Sequence, residues 1–147
     1  MVSVPFAQSV QRCIARTKIT MKAETITQIR ANEMKKGDVL GTARFAGLHS
    51  VHGPNSSAPE ANQNKLTMDF AVSDSAVEIT STALASNVSR ARSMALTGAA
   101  VAALTIYDMC KSIDRTMVIE KLGIEASSTF AEAAMPIDED FSPAGDA

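Results

Sequence analysis

Between Cys13 and Met21 the residues Cys13, Ala15, Thr17, Ile19 and Met21 alternate with the polar residues Arg16, Lys18 and Thr20. A period of two predicts a half-buried strand. The period then becomes helical, and a first helix is expected from Ala23 to about Met34, with Ile26, Ile29 and Ala31 forming a modest apolar stripe. Asp38, a residue type suited to the N-cap, opens a second helix that places Leu40, Ala43, Gly47, Leu48 and Val51 on one side. Gly53-Pro54-Asn55-Ser56-Ser57 stops it, and residues 53–64 read as the longest loop. Leu66, Met68, Phe70 and Val72 then alternate, as do Val77 and Ile79, with Ser73-Asp74-Ser75 as the turn between two strands. From about Ser93 to Ile113 an alanine-rich helix places Leu96, Ala99, Ala100, Ala103, Leu104 and Tyr107 at helical spacing. A last strand is expected over 117–124. The order predicts an α+β chain with a ferredoxin-like plan: a four-stranded antiparallel sheet with helices packed on one face.

Composition narrows the functional classes. At 147 residues and 46% hydrophobic, the chain is long enough for one ordinary domain that buries roughly 68–70% of its unfolded surface. A net charge of -2 gives no global attraction to nucleic acid or to an anionic membrane. Thr97, Thr105 and Asp108 interrupt the best apolar run, so no membrane contact is expected. Cys13 and Cys110 are isolated, which suggests two small buried hydrophobes in a reducing compartment rather than a disulfide or a metal site. That compartment would be the cytoplasm of a bacterium or the mitochondrial matrix of a eukaryote. Residues 1–23 hold Arg12, Arg16, Lys18 and Lys22 but no acid, the composition of a transit peptide, yet the alternation favours a strand. After Lys121 there is no Lys or Arg, while Glu132, Asp138, Glu139, Asp140 and Asp146 accumulate, so an acidic tail is expected over 127–147 after a domain of residues 1–126. Arg90, Arg92 and Lys65 form a local basic group. One Tyr and no Trp leave few platforms for stacking bases, so a solvated face is the expected reading, with no nucleic-acid contact.

Chemistry centres on the end of the alanine-rich helix. Asp108 and Lys111 fall three residues apart on one helical face. Taken alone they read as a solvated ion pair near a helix C-terminus, where a cation suits the dipole. The run Ala102-Ala103-Leu104-Thr105-Ile106-Tyr107-Asp108-Met109-Cys110-Lys111 resembles the signature helix of the cyclic pyranopterin monophosphate synthase family, molybdenum cofactor biosynthesis protein C. Lys36-Gly37-Asp38-Val39, followed by Ala43-Arg44-Phe45-Ala46-Gly47-Leu48, resembles a second segment of that family. Weaker echoes are Met1-Val2-Ser3-Val4, Thr20-Met21 before Glu24-Thr25, and Met117-Val118-Ile119.

The resemblance implies the same ferredoxin-like fold and assembly of dimers into a hexamer. It implies a reaction in which a purine-nucleotide-derived substrate, cyclic dihydro-GTP, is rearranged to cyclic pyranopterin monophosphate with release of pyrophosphate, in a pocket shared by two subunits. No cofactor and no metal are expected. By resemblance Lys36, Asp108 and Lys111 are the catalytic residues, the lysines serving as cations for a triphosphate and as acid/base groups. Other family features are missing. The family's Ile-Pro-Leu-Cys-His-Pro-Leu is replaced by His52-Gly53-Pro54-Asn55-Ser56-Ser57-Ala58-Pro59, its Glu-Met-Glu by Arg92-Ser93-Met94, and its glycine-lysine run by Glu125-Ala126-Ser127-Ser128-Thr129. Two readings follow: an impaired or inactive member of the family, or a structural or regulatory subunit of a larger assembly that reuses the fold.

Overall fold

A computed structural model of the chain describes residues 9–53 and 64–131. The elements are β1 (Ser9–Thr20), α1 (Ala23–Ala31), α2 (Val39–His52), β2 (Lys65–Val72), β3 (Ala76–Ala85), α3 (Val88–Cys110) and β4 (Val118–Ala131). All strand pairs are antiparallel and the sheet order is β2-β3-β1-β4. β1 and β2 therefore run the same way with β3 between them, and β3 and β4 do so around β1. That is the split βαβ arrangement of a ferredoxin-like α+β fold. Residues 1–8, 54–63 and 132–147, which include the Met1–Val4 echo, most of the expected 53–64 loop and most of the acidic tail, lie outside the described residues.

Helices cover one face of the sheet. On β1 the buried residues are Cys13, Ala15, Thr17 and Ile19, every second position, so the period of two sets which side faces the helices. Both cysteines are buried and free. α3 brings Ala91, Ala95, Ala99, Ala102 and Ala103 against the sheet, each wholly buried. Small side chains let backbones approach, and the α2–α3 crossing is tight at Gly47. A Cβ on Gly47 would lie 2.6 Å from Met68 Sδ and 3.0 Å from the Gly98 carbonyl oxygen. At the sheet's β2 edge, Arg44 donates to the Met68 carbonyl and lies over the Phe70 ring, while Arg30 Nη2 donates to the Val72 carbonyl at 3.0 Å. These two arginines blunt an edge that would otherwise offer free carbonyls to another strand.

Several expected boundaries and faces shift. α1 stops at Ala31 rather than Met34 because Asn32 turns left-handed (φ 56°) and its N–H returns to the Gln28 and Ile29 carbonyls. α3 starts at Val88, five residues before Ser93, because the Asn87 side chain accepts from the Arg90 N–H at 2.8 Å. It stops at Cys110, where the N–H groups of Ile113 and Asp114 both bond back to the Cys110 carbonyl. The buried stripe is also rotated relative to expectation: Ile106 and Met109 point inward, while Leu104 is 58% exposed and Tyr107 38%. β4 runs on from Ile124 to Ala131, held by β1, so residues 127–131 are strand. Two register shifts in the β1–β4 pairing, at Ile14/Ala15 and Arg16/Lys18, mark bulges, and Lys121 there has φ 57°. By length and hydropathy α3 would qualify as a membrane span, contrary to the sequence reading. Half of its apolar window is buried against the rest of the fold, which makes it the core helix here.

Candidate functional site

The three sequence-selected residues meet at one end of the helical layer. Lys36 sits in the α1–α2 connection just before Gly37, whose φ of +105° turns the chain into α2. Asp38 caps that helix by accepting from the Gly41 N–H at 3.1 Å. α2 then runs antiparallel to α3, since Lys36 lies beside Asp108 and Gly47 beside Gly98. Lys36 Nζ donates to the backbone carbonyl of Asp108 at 3.3 Å, and Lys111 Nζ pairs with Asp108 Oδ1 at 2.8 Å.

Electrostatics define what these groups can do. The Lys111 hydrogen bond, then the charges of Lys111 and Lys36, hold the Asp108 carboxyl below its ordinary range. The same hydrogen bond and the Asp108 charge push the Lys111 ammonium above its ordinary range. Both groups are exposed. Asp108 therefore stays ionised and Lys111 stays protonated through neutral pH. The cluster sets two cations and one anion at one exposed end of the helical layer, a pattern suited to holding an anionic group. Beneath it, burial and the neighbouring Asp114 push the Cys110 thiol up to about 11, against a smaller opposing effect of Lys36, so this cysteine is an inert thiol.

One residue that carries this end of the fold escaped the sequence reading. Asp114 is wholly buried and takes four hydrogen bonds. Its Oδ2 accepts from the Lys22 N–H at 2.8 Å and the Thr25 hydroxyl at 2.8 Å, and its Oδ1 from the Thr116 N–H at 2.8 Å and the Thr116 hydroxyl at 2.7 Å. Burial alone would raise its pKa, but the four donors hold it well below the usual carboxylate range. Lys22 is the N-cap of α1 and makes no side-chain cap, so Asp114 serves the start of α1 from across the chain.

The remaining candidate positions lie elsewhere. His52 ends α2, about 20 Å along that helix from Asp38. Its neighbour His49 stacks on the exposed Phe45 ring with centroids 5.6 Å apart. Between the end of α2 and the start of α3 lies a cavity of about 410 Å³, lined among others by Ser50, Ser89, Arg90, Ser93 and Met94. Ser93 stands fifteen positions before Asp108, so roughly 22 Å of helix separates this cavity from the lysine cluster. Within one chain the two cannot contact the same small molecule. Among the described residues no group of three or more His, Cys, Asp or Glu could hold a metal ion.

Known proteins resemble the chain along most of its length. It is 38% identical over 123 residues to the cyclic pyranopterin monophosphate synthase of Natranaerobius thermophilus, covering 80% of this chain and 77% of that protein. It is 37% identical over 120 residues to the protein of the same name from Desulfitobacterium hafniense, covering 79% and 74%. It is 33% identical over 118 residues to a molybdenum cofactor biosynthesis bifunctional protein of Chlorobaculum tepidum, covering 78% of this chain and 38% of that longer protein. With the MoaC family profile matching residues 1–129 and the lysine cluster set on a ferredoxin-like sheet, the chain belongs to the MoaC family.

Proposed function

We propose that this chain is a member of the MoaC family that performs the cyclic pyranopterin monophosphate synthase rearrangement poorly or not at all. The observation that carries this reading is the far end of α3, where Arg92-Ser93-Met94 stands in place of the family's Glu-Met-Glu. Opening and reclosing a ring requires groups that gain and lose a proton near the working pH. Lys36, Asp108 and Lys111 can bind the phosphates of a nucleotide-derived substrate, and the rearrangement needs further acid/base groups beside them. By resemblance those groups belong at the far end of α3, where this chain presents Ser93 and Met94 beside Arg90 instead of paired carboxylates.

The separation of the two ends favours an assembly. A second copy placed head to tail along α3 would set the lysine cluster of one chain beside the α2–α3 cavity of the other. Phe45 and Leu104, 69% and 58% exposed on the helical layer, supply apolar surface for such a contact. The same surface favours the second reading, a non-catalytic subunit whose role is to be covered by a partner. Both readings are tested by assaying pyrophosphate release from cyclic dihydro-GTP with purified protein, alongside complementation of a strain lacking the family enzyme. Negligible release from folded protein is expected. Robust turnover that Lys111→Ala abolishes would overturn the impaired-enzyme reading, and a monomer by light scattering at all concentrations would remove the shared pocket.

A further inference from the structure

β4 follows β1 with two irregularities. Glu120 stands opposite Lys18 and Gly123 opposite Arg16, so Lys121 and Leu122 share the single position of Thr17. Ile124 then stands opposite Ala15 and Ala126 opposite Ile14, which leaves Glu125 as an extra residue. Bulges bend a strand and re-aim its side chains, and here two fall between Lys121 and Glu125. The first is locked in place. Thr17 is buried, and its hydroxyl donates to the Glu120 carbonyl at 2.9 Å. Lys121 takes φ 57°, a left-handed conformation that a long side chain rarely adopts.

Beside the bulges lies a cavity of about 380 Å³. Arg16, Lys18 and Glu78 line it from the sheet face away from the helices, and Lys121, Gly123 and Glu125 from the bulged strand. Its charges are unevenly matched. Arg16 Nε pairs with Glu125 at 2.8 Å, its Nη1 lies 4.0 Å from Glu78, and Lys18 pairs with Glu120 at 3.5 Å. The guanidinium is thereby oriented while its Nη2 makes no ion pair. Lys121 has no acidic partner among the described residues. At Gly123 an added Cβ would meet nothing within 4 Å, so the absence of a side chain leaves the cavity open there.

We propose that this cavity binds the phosphate group of a small organic phosphomonoester, with Lys121 and the free edge of Arg16 on the phosphate and the organic part over Gly123 and Ile124. An oriented guanidinium beside a lysine suits an oxyanion, because charge-assisted hydrogen bonds are strong and the fork of an arginine matches two oxygens at once. A volume of this size suits a small molecule rather than a bare ion. Glu78, held by Arg16 only at 4.0 Å, opposes the anion from the β3 side, so its neutralisation must strengthen binding. The site does not overlap the lysine cluster, since Lys36 and Lys111 belong to the helical layer on the other face of the sheet. The inference therefore does not rest on the proposed reaction.

Titration of the full chain with glucose 6-phosphate, followed by the amide resonances of residues 121–125, tests it. Saturable shifts are expected there, with apparent affinity at least roughly fivefold weaker for inorganic phosphate and no shifts with glucose. K121N should weaken binding roughly tenfold, and asparagine tolerates the left-handed backbone at that position. G123L should weaken it at least as much by filling the cavity, and K121N still reports should G123L misfold. E78Q should tighten binding. K36Q/K111Q should leave these shifts unchanged. Unshifted amides of α3 check that each variant is folded. Absence of saturable shifts at 121–125, shifts confined to the lysine cluster, or binding unaltered in both K121N and G123L would each overturn the proposal. Weakening in E78Q would overturn it in favour of a ligand carrying a cationic group, and inorganic phosphate binding as tightly as the monoester would overturn the organic part of the assignment.

Discussion

Replacing Asp114 by Asn removes one charge while keeping the side chain's shape. In the native chain each carboxylate oxygen accepts one backbone N–H and one hydroxyl: Lys22 and Thr25 on Oδ2, Thr116 twice on Oδ1. An amide cannot satisfy both N–H groups. Whichever way it is flipped, its NH₂ faces either the Lys22 or the Thr116 N–H, and neither backbone donor can turn away. One buried donor is left opposite another donor, and the bonds that survive lose their charge assistance, for a total cost of about 3 kcal/mol. For a chain of this size that lowers Tm by roughly 10 °C. The pH dependence fixes the mechanism. Because folding depresses the Asp114 pKa, its stabilisation is complete above the unfolded value near 4 and is lost as pH falls from there toward the folded value. Urea unfolding at fixed protein concentration between pH 3 and pH 7 should therefore show D114N less stable at neutral pH, with the gap to the unmodified chain narrowing in acid. Equal stability at pH 7, or a gap of constant size across the range, would refute the account.

Three further outcomes follow from the core and its thiol. Gly98→Ala should destabilise by roughly 1–3 kcal/mol in urea unfolding, because the added Cβ would lie 2.7 Å from Leu66 Cδ2 and 3.0 Å from Ser81 Oγ. A stability equal to that of the unmodified chain would mean that α3 can lift off the sheet freely. Ser81→Ala should be neutral or stabilising by up to about 1 kcal/mol in the same assay, because the buried hydroxyl has no hydrogen-bond partner and its removal strands none. Alkylation by iodoacetamide at pH 8 should spare Cys110 until the chain unfolds, since the thiol is buried and pushed up to about 11; rapid labelling of the native chain would contradict that placement.

Much of the fold was legible because local signals agreed with tertiary ones. The alternation from Cys13 to Met21 marked β1, and Asp38 marked the start of α2, since each depends on neighbours within a few residues. Asn87 carries the same kind of local signal for α3, but it stands six residues before Ser93, outside the alanine-rich apolar spacing. The buried face of α3 was harder to read. A run of alanines looks apolar on every side, so spacing alone could not decide whether Leu104 or Ile106 faced the sheet. The end of β4 was illegible for a different reason: Ala126-Ser127-Ser128-Thr129 carries no alternation and is strand because β1 lies beside it.

The candidate site divides along the same line. Resemblance brought Lys36 together with Asp108 and Lys111, whereas nothing local in the sequence links residues 72 positions apart. Resemblance did not supply their protonation state, which depends on geometry. Asp108 stands in the last turn of α3, where the helix dipole disfavours a carboxylate, and Lys111 just beyond it, where a cation is favoured. The close 2.8 Å pair and the lysine at the adjacent carbonyl reverse the first effect, and the pair reinforces the second. Asp114 is the opposite case, a lone acid between Ile113 and Arg115 with no pattern to mark it, whose partners Lys22 and Thr25 lie 92 and 89 residues away. A short-range reading sees the acid and the lysine that neighbour each other in sequence; it misses the buried acid that holds their end of the fold together, because two of that acid's four donors, on Lys22 and Thr25, come from the opposite end of the chain.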